Sequence, residues 1–391
     1  TLLGSSTQWT EVLPPTDLKG DTQNLFAIRS THRVTHVRLN IFPDGGVARF
    51  RVYGEVIPDW ARVSTAAEIN LAAVENGGRV LAASDMFFGS RHNLILPSPA
   101  KNMGDGWETK RRRGPGHDWV IVELGAEAVV QRIEVDTSHF KGNFPESCSL
   151  EGCSVSDASS DSLSHATWKE LLLRTKLRAD TRHRFEKELQ LAEPVTHVRF
   201  NIFPDGGVAR LRVLGRITPE GRLQAGLRRL NALAETEAEA ALQACCGSTK
   251  WMRGMLAQRP FLTVQQLREA ADRTCGELGR DDWLEAFRVH PRIGEKGSEK
   301  QAAVARQWSE QEQAGTRGTS AKTLSELQEA GRAYEARFGY LFIVCATGKT
   351  TEEMLALLRQ RLQNEPDKEL RIAAEEQRRI LQLRLGKLLS L

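Results

Sequence analysis

Apolar and polar residues alternate along residues 35–54, THVRLNIFPDGGVARFRVYG, where Val37, Leu39 and Ile41 interleave with Arg38 and Asn40. A period of two puts every second side chain on one face and predicts a half-buried β-strand. Pro43-Asp44-Gly45-Gly46 then supplies a fixed φ and positive-φ positions for a tight reversal. On the return, Ala48, Phe50 and Val52 alternate with Arg49, Arg51 and Tyr53, so a β-hairpin is expected. Residues 196–215, THVRFNIFPDGGVARLRVLG, repeat this segment at seventeen of twenty positions. An offset of 161 residues means a duplicated domain, each copy ending in such a hairpin, and not short solenoid units. The runs DWVIVELG and VVQRIEVDT add short strands between turn residues, the texture of a β-sandwich or jelly roll.

The second copy runs from about residue 66 to 217, whereas residues 1–57 hold only the C-terminal half of a first copy. An isolated half sandwich leaves sheet edges and a core face uncovered, so a segment preceding Thr1 is expected. The lack of an initial Met fits a chain that begins inside a longer reading frame. Residues 218–229 read as a linker. From Leu230 onward, segments such as LNALAETEAEAALQACC, VQQLREAADRTCGEL and KELRIAAEEQRRILQLRLGKLL carry apolar residues three and four apart, with Gly or Pro at several boundaries. Residues 230–391 are therefore expected to form an all-α domain. The fold class is multidomain, all-β sandwich repeats followed by a helical domain.

Composition narrows the function. A length of 391 residues suggests two or three domains. Lys and Arg total 54 against 50 Asp and Glu, a balance that does not point to a nucleic-acid partner. No uncharged apolar run approaches the roughly 18 residues that span a bilayer, so no membrane role is expected. The start, TLLGSSTQWT, has neither a basic lead nor an apolar core and does not read as a signal peptide. The ending, LLSL, gives no support for peroxisomal import. The six cysteines have no zinc-ligand spacing and are too scattered for a disulfide scaffold, which points to reduced thiols in the cytoplasm.

The densest polar strings in the β half are MGDGWETKRRRGPGHDW (103–119) and VDTSHFKGNFP (135–145). Three consecutive arginines among carboxylates suit either a carboxylate- or ureido-binding surface or a solvated basic turn. Trp107, Trp119 and the repeated glycines favour the first, because loops on a rigid sandwich commonly carry function. His117, Asp118, Asp136 and His139 have metal-ligand chemistry but no diagnostic spacing, so no metal is expected. In the helical half, Trp283, Phe287 and His290 stand at i, i+4 and i+7 on one helix face, and Pro291 should end that helix. His290 is then either a hydrogen-bonded core residue or a catalytic one at a helix C-terminus, where the dipole favours imidazolium. Ser309, Glu312 and Gln313 share one helical face near a helix end. Arg384 shares a stripe with Leu381 and Leu388, where an arginine either joins a structural ion pair or grips an anionic or ureido group.

The strings MGDGWETKRRR, PGHDW, VDTSHFKGNFP and the doubled NIFPDGGVAR segment closely resemble allantoicase over residues 1–217. That resemblance implies two galactose-binding-like jelly-roll repeats and hydrolysis of allantoate to ureidoglycolate and urea. Its candidate site residues are Asp105, Glu108, Arg111, Arg112, His117, Asp136 and His139. The strings CCGSTKWMRGM, DWLEAFRVHPRIGEK, SEQEQAG and YEARFGYLFIVCATGKT make residues 230–391 resemble 2-oxo-4-hydroxy-4-carboxy-5-ureidoimidazoline (OHCU) decarboxylase. This second resemblance implies an all-α enzyme of urate degradation, working without a cofactor and yielding S-allantoin. It makes His290 and Glu312 the catalytic residues, Ser309, Gln313 and Arg384 substrate-binding, and Pro291 and Ile343 walls of the pocket. One departure is Gly331, where that family more often has Asn; glycine inside a helix costs roughly 1 kcal/mol relative to alanine. The expectation is thus a bifunctional, cytoplasmic, homo-oligomeric enzyme acting on small ureido compounds. The rival reading leaves only the decarboxylase active, carried by a binding or oligomerisation module.

Overall fold

The structure is a computed structural model and describes residues 9–30, 34–58, 60, 63–155, 160–190, 193–292, 308 and 321–390. Its β half contains β1 (Ile69–Asn70), β2 (Arg79–Ala83), β3 (Trp107–Glu108), β4 (Asp118–Asp136) and β5 (Ser147–Cys153). A short helix, α1 (Ser160–Ser164), precedes β6 (Lys169–Lys176), β7 (Arg182–Phe185), β8 (Val195–Phe203), β9 (Gly207–Val208) and β10 (Arg210–Ile217). All pairings are antiparallel, in the order β1-β10-β4-β8-β5-β6 with β2 and β7 also on β4, and a separate β3-β9 pair.

The 19-residue β4 is the spine. The expected strands DWVIVELG and VVQRIEVDT are its two halves. The first half pairs with β2 and β8, the second with β10 and β7. Val120, Val122, Ile133 and Val135 all face one core with Phe200, Ile202, Leu211 and Val213. The alternation slips by one at Gln131, where the register passes from Val130↔Gly215 to Arg132↔Leu214. One residue opposite none is a β-bulge, and it returns Ile133 to the buried face.

The hairpin expectation needs two corrections. In the second copy both strands form, as β8 and β10, but they pair with β4 on its two sides and not with each other. The Pro204-Asp205-Gly206-Gly207 reversal therefore carries the chain across β4. Gly206 stands at φ +134°, and a Cβ there would meet Asn143 O at 2.7 Å. Local turn chemistry sets the reversal, and the long central strand decides the partners. In the first copy, residues 34–58 contain no strand. Val37, Leu39, Ile41, Phe50 and Val52 are exposed, whereas their counterparts Val198, Phe200, Ile202, Leu211 and Val213 are completely buried. The neighbours that bury those counterparts are β4 and β5, whose positions in the first copy would fall upstream of Thr1 at the 161-residue offset. Period-two alternation without a sheet to join does not make a strand.

The stretch read as a linker is helix α2 (Pro219–Ala232), a second departure from expectation. Thr218 caps it by accepting from Gly221 N, with Pro219 in the first turn. Its faces serve both halves: Ala225 joins the β core, Leu227 and Leu230 the helical core. Arg222 donates to the carbonyls of Trp60 and Val63, Arg228 to Gly125 O and Arg229 to Leu388 O. Its arginines cap backbone carbonyls across the seam.

The helical half continues with α3 (Glu235–Cys245), α4 (Thr249–Ala257), α5 (Val264–Gly276), α6 (Arg280–Arg288), α7 (Ala321–Phe338), α8 (Thr351–Arg361) and α9 (Pro366–Ser390). Trp251, Phe287, Tyr334, Leu381 and Leu385 fill its core. Among the described residues, no helix is long and apolar enough to cross a membrane.

Candidate functional site

In the helical half the site is built at the C-terminus of α6. Trp283 and Phe287 stack with centroids 6.4 Å apart, and Phe287 meets Tyr340 at 5.3 Å. This fixes the helix against the segment that carries Ile343. The helix ends at Arg288, and His290 N donates to Phe287 O at 3.2 Å, so Pro291 does terminate it. His290 is half-buried as a residue, but its Nε2 is shielded from solvent and has no hydrogen-bond partner.

Burial, reinforced by the nearby Arg384 charge, pushes the His290 pKa down from its ordinary 6.5 to about 3. Gln377 beside the ring favours the protonated form, although neither of its polar atoms reaches hydrogen-bonding geometry. The helix dipole suggested an imidazolium; desolvation and a like charge prevail, and the ring is neutral near pH 7.

Arg384 and Gln377 come from one buried stripe of α9, with Ile380, Leu381 and Leu388. Ile343 is buried in the segment between α7 and α8, its carbonyl accepting from Arg361 Nη1 at 2.9 Å. Pro291 is half-buried beside His290. Ser309, Glu312 and Gln313 lie outside the described residues. The structure thus brings His290 and Arg384 together; Gln377 was not anticipated. Its signal was available: a polar residue two turns before Arg384 on an otherwise apolar stripe.

The His290 shift has a measurable consequence. The unfolded chain takes up this proton near pH 6.5, while the native site resists it to about pH 3. Between those values the unfolded state binds more protons, so stability falls as pH falls and is unaffected above about 6.5. At pH 5 the expected loss relative to His290→Asn is roughly 2 kcal/mol. Urea unfolding of both proteins at pH 7.5 and 5 checks this; an equal decline in the two would reject a buried neutral imidazole.

In the β half, the loops 104–118, 136–145 and 203–210 meet at one end of the sheet. Arg112 N donates to Asp205 at 2.8 Å, Thr109 N to Gly206 O, Gly207 N to Asn143 O and Ala209 N to Asp136 O. All seven allantoicase candidates lie on or beside these loops, yet most already have partners. Arg112 pairs with Asp118, which also accepts from Ser84 Oγ at 2.9 Å. Glu108 accepts from Asn143, and Asp105 accepts from Lys101 N at 2.9 Å. Asp136 accepts from Ser138 N at 2.8 Å and from Arg182 at 3.2 Å. His117 packs its ring on Phe203 at 4.7 Å. His139, at a positive φ of 73°, is held by Asp180 and by Ala100 O. Arg111 is exposed. Among the described residues no three His, Cys, Asp or Glu side chains are placed to hold a metal.

A polar cluster that the sequence reading missed lies on the outer face of β5 and β8. Arg199 forms a two-pronged pair with Glu151 at 2.7 and 2.8 Å, and Asn201 donates to Glu151 at 2.8 Å. Arg199 and Asn201 alternate with the core residues Val198, Phe200 and Ile202, which was legible as the outer face but not as a cluster.

Residues 2–57 and 69–218 match the family model described as allantoicase repeat, and residues 231–386 match that of OHCU decarboxylase. A probable allantoicase of Pseudomonas syringae pv. syringae (strain B728a) is 48% identical over 214 residues, covering 54% of this chain and 65% of the relative. The chain thus spans less than two thirds of the length of the curated relatives it matches, 65% and 64% for two of them. Allantoicase from Saccharomyces cerevisiae is 44% identical, covering 44% of this chain and 49% of that one, with a TM-score of 0.37. An OHCU decarboxylase solved in the presence of (S)-allantoin is 37% identical, covering 39% of this chain and 98% of that one, with a TM-score of 0.34. The chain belongs to the allantoicase family, and an OHCU decarboxylase domain follows its allantoicase repeats.

Proposed function

We propose that this chain is a bifunctional enzyme of urate breakdown, an allantoicase joined to an OHCU decarboxylase. The domain partition proposed is a half repeat over 1–57, a complete repeat over 66–217 and a decarboxylase over 230–391. The observation that carries the reading is the solvent-shielded, unpartnered Nε2 of His290 near the buried Arg384, inside the region that matches OHCU decarboxylase.

In the decarboxylase, His290 and Glu312 are the proposed proton-handling pair. Loss of CO2 leaves an electron pair delocalised into the adjoining C=N and carbonyl of the ring. One group takes the hydroxyl proton and the other delivers a proton to one face, giving S-allantoin. Arg384 steadies developing negative charge, an effect strengthened by its burial. Pro291, Ser309, Gln313 and Ile343 are proposed to shape or bind the substrate. The incoming carboxylate offsets the Arg384 charge and so raises the basicity of His290 when it is needed.

In the allantoicase part, Asp105, Glu108, Arg111, Arg112, His117, Asp136 and His139 are proposed to serve allantoate hydrolysis, supported by their gathering at one loop-bearing end. The reading includes a cytoplasmic, homo-oligomeric enzyme; the six cysteines, all free, fit a reducing compartment. The test uses the purified chain with OHCU and, separately, allantoate. Accelerated loss of OHCU absorbance and release of urea are expected. Urea release without OHCU turnover, or the reverse, would confine activity to one half.

A further inference from the structure

Gln377 is completely buried on α9, yet neither its Oε1 nor its Nε2 has a hydrogen-bond partner. Burying an unpaired amide is destabilising, and an aliphatic residue in the same stripe would avoid that cost. The Nε2 of His290, next to it, is also shielded and unpartnered, so unmet hydrogen-bonding capacity is concentrated where the two helices meet. Arg384 adds a buried positive charge two turns along the same face. Elsewhere on α9 the buried polar side chains are engaged: Glu369, for example, accepts from Arg361, Asn364 and Tyr334. A primary amide offers a carbonyl acceptor and an N–H donor side by side in one plane. Its complement is a planar group with the same pair reversed, such as a lactam edge or a ureido arm.

We propose that Gln377 is a substrate-binding residue of the helical half, pairing its amide with a C=O/N–H edge of a ureido-substituted ring and so orienting that ring against His290. The inference rests on the decarboxylase reading. It accounts for a destabilising group at this position, because a site built to hydrogen-bond its substrate leaves its polar atoms unmet when empty. It also separates the roles of two neighbours. Arg384 answers to charge, and Gln377 answers to the donor–acceptor pattern.

Gln377→Met keeps the shape and removes both hydrogen-bonding atoms. The expected result is a KM for OHCU raised tenfold or more, a smaller change in kcat, and a melting temperature equal to or above that of the wild type. Gln377→Glu keeps the acceptor, loses the donor and is expected to show the same KM defect, which guards against a folding failure of the first variant. Stabilisation by (S)-allantoin, read as a rise in melting temperature, should be present in the wild type and lost in both variants. Wild-type turnover accompanied by an unchanged KM and unchanged (S)-allantoin stabilisation in the variants overturns the role of Gln377 alone. A wild type that neither consumes OHCU nor is stabilised by (S)-allantoin overturns the decarboxylase reading and this inference with it.

Discussion

His290→Asn is expected to slow OHCU decarboxylation by roughly 10²–10⁴-fold, the usual contribution of a positioned acid–base group. The melting temperature at pH 7.5 should change little. Asparagine retains a small polar side chain, and the His290 Nε2 makes no hydrogen bond whose loss would weaken the fold. Catalysis and stability therefore separate at this residue. The same substitution leaves urea release from allantoate unchanged, because His290 belongs to the helical half. Stopped-flow loss of OHCU absorbance, beside a thermal melt, reads both quantities. Turnover within threefold of wild type would remove His290 from the reaction, and a collapse of the melting temperature would make it a core residue. Depression of the pKa to about 3 in the empty site does not argue against a base. Arg384 contributes to that depression, and an anionic substrate neutralises its influence.

What the sequence disclosed depended on the range of the forces involved. The strand character of 195–203 and 210–217 was legible because alternation is a property of neighbouring residues. Their partners were not, since the register is chosen by β4, some 80 residues away in the chain. For the same reason Val37, Leu39 and Ile41 carry a strand pattern and still lie exposed. Pattern is local, but pairing needs a second strand. The segment read as a linker is the seam helix α2, and the backbone acceptors of its arginines at Trp60, Gly125 and Leu388 are set by the fold and lie far away in the chain.

At the candidate site, His290 was marked by Pro291 and by its place on an apolar stripe, both visible in a short window. Gln377 sits on α9 in a comparably regular stripe, but an amide at such a position is usually satisfied by a neighbour. Only the three-dimensional surroundings show that this one is not. The carboxylates of the β half present the reverse case. Residue type marked Asp105, Glu108 and Asp136, whereas the structure shows each already accepting hydrogen bonds from within the protein.

Glu369→Gln is expected to destabilise the helical half by about 3–5 kcal/mol, the loss typical of removing one partner from a buried ion pair. Glu369 is completely buried at the start of α9 and accepts from Arg361 Nε at 2.8 Å, Asn364 Nδ2 at 2.7 Å and the Tyr334 hydroxyl. Burial, with the Glu369 hydrogen bond second, pushes the Tyr334 phenol well above its ordinary range, so it stays a donor. A neutral amide at 369 leaves the Arg361 guanidinium desolvated without a counter-charge. It also turns an N–H towards groups that already donate. Arg361 spans two structures, since its Nη1 donates to Ile343 O and its guanidinium lies 4.6 Å from the Phe342 ring centroid. Loosening it frees the segment on which Ile343 is carried, so kcat/KM for OHCU should fall along with stability. Removing both charges in Arg361→Met/Glu369→Leu should recover at least half the lost stability, because an apolar pair in a dry site needs no hydration. It should not recover kcat/KM, because the double variant has no guanidinium to donate to Ile343 O. Urea unfolding and steady-state kinetics of Glu369→Gln, and of Arg361→Met and Glu369→Leu singly and together, close this cycle. Additive losses, or a Glu369→Gln effect below about 1 kcal/mol, would mean that the pair is no more than a surface-like contact.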